Sequence, residues 1–76
     1  MDFNKRYIVE IANFGRRLKE IRKEKNLSQL DLELRAEISR TEISRIENGQ
    51  KNIEFFTIVK LAEALEIDIS NFFITK

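Results

Sequence analysis

The sequence predicts a compact all-α domain of five helices, and three observations carry the prediction. Two serines, Ser28 and Ser39, are each followed three residues later by an acid, Asp31 and Glu42, the spacing at which a serine caps the first turn of a helix. Apolar residues recur at spacings of three and four both before and after that pair. No proline breaks any of these stretches.

The first element lies between Asn4 and Lys25, where Tyr7, Ile11, Phe14, Leu18 and Ile21 fall on one helical face. Gly15 interrupts it at a cost of about 1 kcal/mol against alanine. Either a neighbouring backbone comes close there, or the helix begins near Asn13 and the preceding residues form an arm. Tyr7, Ile8 and Val9 would also suit a strand. The expected organisation is therefore residues 1–12 as an N-terminal arm or helical extension and residues 13–76 as the domain proper. Asn26 can take the left-handed conformation that ends the first helix.

The two capped helices come next. Leu27 and Leu32 bracket the first cap and Ile38 and Ile43 the second, at the spacing of a hydrophobic staple. Ala36, Glu37 and Ile38 are left as a three-residue turn. The second capped helix runs from Arg40 to Asn48 and stops at Gly49, placed as a C′ glycine. Lys51 and Asn52 make a polar link. Phe55, Ile58, Leu61, Ala62 and Leu65 then share the inward face of a fourth helix. Asp68 caps a fifth, with Ile67 and Phe72 as its staple.

Composition narrows the function classes. A chain of 76 residues makes one small core, burying about 60% of the surface its unfolded form exposes. It has neither cysteine nor histidine, which removes disulfides, thiolate nucleophiles and the usual zinc ligands. No metal or cofactor is expected, and an enzyme reading finds no nucleophile–base pair or phosphate loop. The apolar runs are far shorter than the roughly 20 residues that span a bilayer, and no signal-peptide core is present. The expected location is cytoplasmic. The net charge of +1 is weak support for a polyanionic partner. Its distribution says more: residues 1–30 hold eight basic and four acidic side chains, residues 53–76 two and four, so the chain is basic in front and acidic behind.

At about 100° per residue, Ile43 and Ile46 of the second capped helix point together, while Arg40, Thr41, Ser44, Arg45 and Asn48 share the opposite arc. Arginine can bond guanine O6 and N7 bidentately, and threonine or serine can bond a base or touch a thymine methyl, so this arc suits a DNA major groove. On its own, a polar stripe on a surface helix is more often plain solvated surface.

A more specific signal lies in the run FGRRLKEIRKEKNLSQ, followed by ISRTEISRIENG and KLAEALEIDISNFF. Over roughly residues 13–73 it resembles the Xre-type, lambda-repressor-like helix-turn-helix family. The resemblance implies a lambda-repressor-like fold whose second and third helices form the helix-turn-helix. It implies that Gln29 binds phosphate at a helix N-terminus, and that Arg40, Thr41, Ser44 and Arg45 read base edges. Ser39 would be both cap and phosphate contact. Asn48, Lys51 and Asn52 would touch the DNA backbone, although Asn48 before a C′ glycine is equally well explained by conformation alone. The family often pairs the positions of Arg22 and Glu47, an ion pair that fixes the recognition helix on its scaffold.

Several positions depart from the family pattern: Glu33 stands where a small apolar residue is usual, Glu37 where glycine is frequent, and Leu30 and Leu34 where acids are common. Glu37 is expected to adopt a positive φ with some strain. Leu30 and Leu34 are expected to cover the N-terminal arm near Tyr7 or Ile8. Phe56, Val59, Phe72, Phe73 and Ile74 exceed what one small core can hold, which predicts a homodimer interface built from the fourth and fifth helices. Isolated surface hydrophobes are the ordinary alternative. The leading function is thus a sequence-specific regulator of transcription that binds double-stranded DNA as a homodimer. The alternative is a protein-interaction module, such as the antitoxin of a toxin–antitoxin pair, with a protein partner and secondary DNA binding.

Overall fold

The helical periodicities are realised as four α-helices, α1 Phe3–Glu24, α2 Gln29–Ala36, α3 Arg40–Glu47 and α4 Phe55–Leu65, followed by a 3-10 helix, Ile69–Phe73. The computed structural model describes residues 2–73. No helix among them is long and apolar enough to cross a membrane.

α1 is one unbroken helix of 22 residues, so Tyr7, Ile8 and Val9 are helical and not extended. Its start is set by Asp2, whose carboxylate accepts the Lys5 N–H at 3.1 Å, and its end by Asn26 at φ 59°. α2 carries a complete capping box: Ser28 Oγ accepts the Asp31 N–H at 3.0 Å, and the Ser28 N–H donates back to Asp31 at 2.8 Å. That backbone bond, with the Ser28 hydroxyl second, holds the Asp31 carboxyl below the usual aspartate range. At α3 half of the box forms. Ser39 Oγ accepts the Glu42 N–H at 3.1 Å, while the Glu42 carboxylate pairs with Lys51 at 3.3 Å. Between the two helices Glu37 adopts φ 58°, ψ 42°, the left-handed conformation that the turn requires of a residue with a Cβ.

Leu18, Leu32, Ile43, Ile46, Leu61 and Leu65 are fully enclosed, with Phe14, Ile21, Ile38 and Phe72 around them. α1 packs on α3 and on the 3-10 helix, and α2 on α3 and α4.

Four expectations are corrected. The fifth element is a 3-10 helix closed by the Asn71 N–H to the Asp68 carbonyl at 3.0 Å; five residues are too few to repay α-helix nucleation, and short pieces favour the tighter winding. Phe72 belongs to the monomer core, 3% exposed with its ring centroid 4.9 Å from that of Phe14, and not to a dimer surface. Phe55 is exposed although its phase on α4 is inward, because burial grows along α4 from Phe55 through half-buried Ile58 to Leu61 and Leu65. Leu30 and Leu34 also stay exposed on α2. Ile74 lies outside the described residues.

Candidate nucleic-acid interface

The site begins with how α3 is seated. α1 crosses α3 at Gly15, where a Cβ would collide with the Ile46 carbonyl oxygen and lie 2.8 Å from that of Glu47. This close backbone approach is what a glycine inside α1 permits. Seven residues further on, Arg22 Nε and Nη2 donate to the two carboxylate oxygens of Glu47 at 2.6 and 3.0 Å. The Arg22 and Glu47 side chains are 8% and 2% exposed, so the pair is buried and bidentate. Arg22 Nη1 also donates to the Leu27 carbonyl at 2.7 Å, fixing the entry to α2.

The inner face of α3 is thus held, and its outer face is open. Arg40, Thr41 and Arg45 are exposed and Ser44 is half-buried. Together with Gln29, at the first turn of α2, these four side chains line an open depression on the surface. The Gln29 amide donates to Glu47 Oε1 at 3.1 Å, so the first residue of α2 joins the network that seats α3. Ser39 and Asn48 are exposed at the two ends of α3, Asn52 is exposed and Lys51 half-buried in the following loop.

Glu33 supplies a contact that sequence reasoning missed. Its carboxylate accepts the Arg40 N–H at 2.5 Å, satisfying the first free donor of α3 and placing a negative charge at the positive end of the helix. Glu33 is the residue that departs from the family's small apolar one. An acid seven residues before the helix start is a signal that acquires meaning only once the turn brings α2 alongside α3.

Away from this face, Phe56 and Val59 on α4 and Phe73 at the chain's end remain exposed. Phe56 lies beneath the Lys60 ammonium, 5.5 Å from its ring centroid. Among the described residues no cluster of acidic side chains could hold a metal ion.

A helix-turn-helix family model, HTH_3, matches residues 18–72. Control protein C.MunI from a Mycoplasma species is 39% identical over 61 residues, spanning 79% of this chain and 82% of that protein. The crystal structure of the restriction-modification controller protein C.AhdI from Aeromonas hydrophila matches with a TM-score of 0.82 and 36% identity, over 84% of this chain and 97% of its own. The controller C.Esp1396I, solved as a tetramer in complex with its natural 35 base-pair operator, matches with a TM-score of 0.77 and 30% identity, over 83% of each chain. This chain therefore belongs to the HTH_3 helix-turn-helix family of DNA-binding regulators, of the Xre-type, lambda-repressor-like kind.

Proposed function

We propose that this chain is a sequence-specific transcriptional regulator that binds double-stranded DNA in the cytoplasm as a homodimer. α3 enters the major groove, and two copies address successive grooves about 34 Å apart. The observation that carries this reading is the open depression lined by Gln29, Arg40, Thr41, Ser44 and Arg45, set on a helix whose other face is pinned by a buried ion pair. Arg40, Thr41, Ser44 and Arg45 are assigned to base edges. Gln29, Ser39, Asn48, Lys51 and Asn52 are assigned to phosphates, which set register and not sequence. Two of the matched relatives are restriction-modification controllers, and one of them was solved on its operator. They favour this reading over the antitoxin alternative, and they extend it to control of a restriction-modification system.

Selection of duplexes from a random pool, repeated at several salt concentrations, tests the assignment. The wild type should enrich a two-fold symmetric site. Arg40→Ala or Arg45→Ala should relax preference at defined positions, costing about 1–3 kcal/mol each. Lys51→Ala should weaken all duplexes alike and reduce the salt slope by about 1. A pool that never enriches, at low salt and with the wild type, would refute the proposal.

A further inference from the structure

Two acids behind the face assigned to DNA are neutralised within the protein, Glu47 by Arg22 and Glu42 by Lys51. Glu33 is different. Among the described residues its carboxylate forms no ion pair, and its partner is an uncharged donor, the Arg40 N–H at 2.5 Å. Glu33 follows Gln29 by one turn on the same side of α2, and both are half-buried. Gln29 lines the open depression with Arg40. The Glu33 carboxylate, held against the Arg40 backbone, therefore stands at the rim of that depression, where α2 meets the start of α3. Asp31 points about 160° away round α2 and takes no part.

The first turns of the two helices differ as a result. At α3 the Arg40 N–H goes to Glu33, the Glu42 N–H to the Ser39 hydroxyl and the Ile43 N–H to the Ser39 carbonyl. Thr41 has the one N–H of that turn without an acceptor among the described residues. At α2 the Asp31 and Leu32 N–H groups are taken by Ser28, while those of Gln29 and Leu30 have no acceptor among the described residues. Free N–H groups at the positive end of a helix attract phosphate. The recognition helix thus begins with a carboxylate where α2 begins with open donors.

We infer that Glu33 is a specificity-determining residue: its carboxylate, matched by no cation, occupies the start of α3 in place of a phosphate and repels the DNA backbone from the recognition helix. The inference rests on the DNA binding of the proposed function. A duplex in the correct register sets its phosphates on Gln29 and Lys51 and brings base edges to Arg40, so the carboxylate meets little backbone charge. A duplex of unrelated sequence is held by phosphate contacts alone, and there the like charge weakens binding. Glu33 touches no base; it acts by disfavouring the wrong complexes.

Equilibrium binding of the full chain to two labelled duplexes, the enriched site and a scrambled sequence of the same length and composition, tests this at several salt concentrations. Glu33→Gln keeps an oxygen for the Arg40 N–H and removes the charge. Glu63→Gln removes an exposed acid on α4 and controls for net charge. Glu33→Gln should bind the scrambled duplex about three- to tenfold more tightly at low salt, the gain shrinking as salt screens it, and should leave the enriched site nearly unchanged. The preference between the two duplexes then falls. A purely structural role for Glu33 predicts otherwise, because a poorly seated α3 weakens the enriched site and leaves the scrambled affinity no higher. Unchanged scrambled affinity, equal gains on both duplexes, or an equal gain from Glu63→Gln overturns the inference. Should the pool enrich no site, the scrambled duplex still reads Glu33: a gain from Glu33→Gln and none from Glu63→Gln would sink sequence-specific regulation and leave the repulsion of the backbone standing, whereas no gain would sink both.

Discussion

Arg22→Ala removes one half of the buried pair between α1 and α3 and leaves the Glu47 carboxylate, 2% exposed, with the Gln29 amide as its one side-chain donor among the described residues. It also strips the Leu27 carbonyl of its Arg22 donor. Breaking a buried ion pair from one side costs about 3–5 kcal/mol, since the surviving charge stays desolvated. For a domain of this size each kcal/mol moves Tm by about 4–8 °C, so the midpoint should fall by at least about 12 °C. Arg40→Ala alters an exposed side chain and should stay within about 0.5 kcal/mol, a shift of a few degrees. Thermal melts by circular dichroism compare the two directly. A third variant, Arg22→Met/Glu47→Leu, removes both charges and keeps the volume; it should recover most of the loss. Equal melting shifts for Arg22→Ala and Arg40→Ala would refute the reasoning, as would a double variant less stable than Arg22→Ala.

Other consequences follow from single contacts. Gly15→Ala raises helix propensity by about 1 kcal/mol, yet it should destabilise the fold by about 1–3 kcal/mol, because the atoms its Cβ meets are backbone carbonyls of α3; a higher melting temperature would contradict the close approach. Glu37→Gly relieves a left-handed residue and should stabilise by up to about 1 kcal/mol in urea denaturation, the relief being offset in part by glycine's entropy. Glu33→Ala should lose about 0.3–1 kcal/mol through the first turn of α3, and unchanged urea stability would show that the Arg40 contact contributes nothing. The Asp31 carboxyl titrates below its ordinary range when folded, so its contribution is complete above about pH 5 and is lost as pH falls through the folded value. The gap in urea midpoint between wild type and Asp31→Asn should therefore close on acidification, and a gap independent of pH would argue against the capping box as its source.

Much of this fold is legible residue by residue where the determinant is local. Ser28 and Ser39 bond within their own first turns, and Asn26 and Glu37 take positive φ at helix ends, so short-range rules locate the helices and the turn between them. Periodicity also gives faces correctly, but it says nothing of how far cover extends along a face. Phe55 and Phe3 both sit in phase with a buried stripe and both lie beyond its end. Phe72 shows the converse: the sequence makes it surplus to a small core, because nothing in it shows that α1 leaves a place beside Phe14. The Glu33–Arg40 bond depends on the angle between two helices, which no spacing encodes.

The position of Gln29 ties together two properties usually tuned apart. A primary amide has two N–H donors, and here one of them is committed to Glu47. The other is the donor that the proposed function directs to phosphate. A single run of hydrogen bonds then joins the interior of α1, through Arg22, Glu47 and Gln29, to the DNA backbone. Under that assignment, a substitution anywhere along the run changes the melting temperature and the footing on the duplex together, and a loss of operator affinity from within it says nothing by itself about base readout.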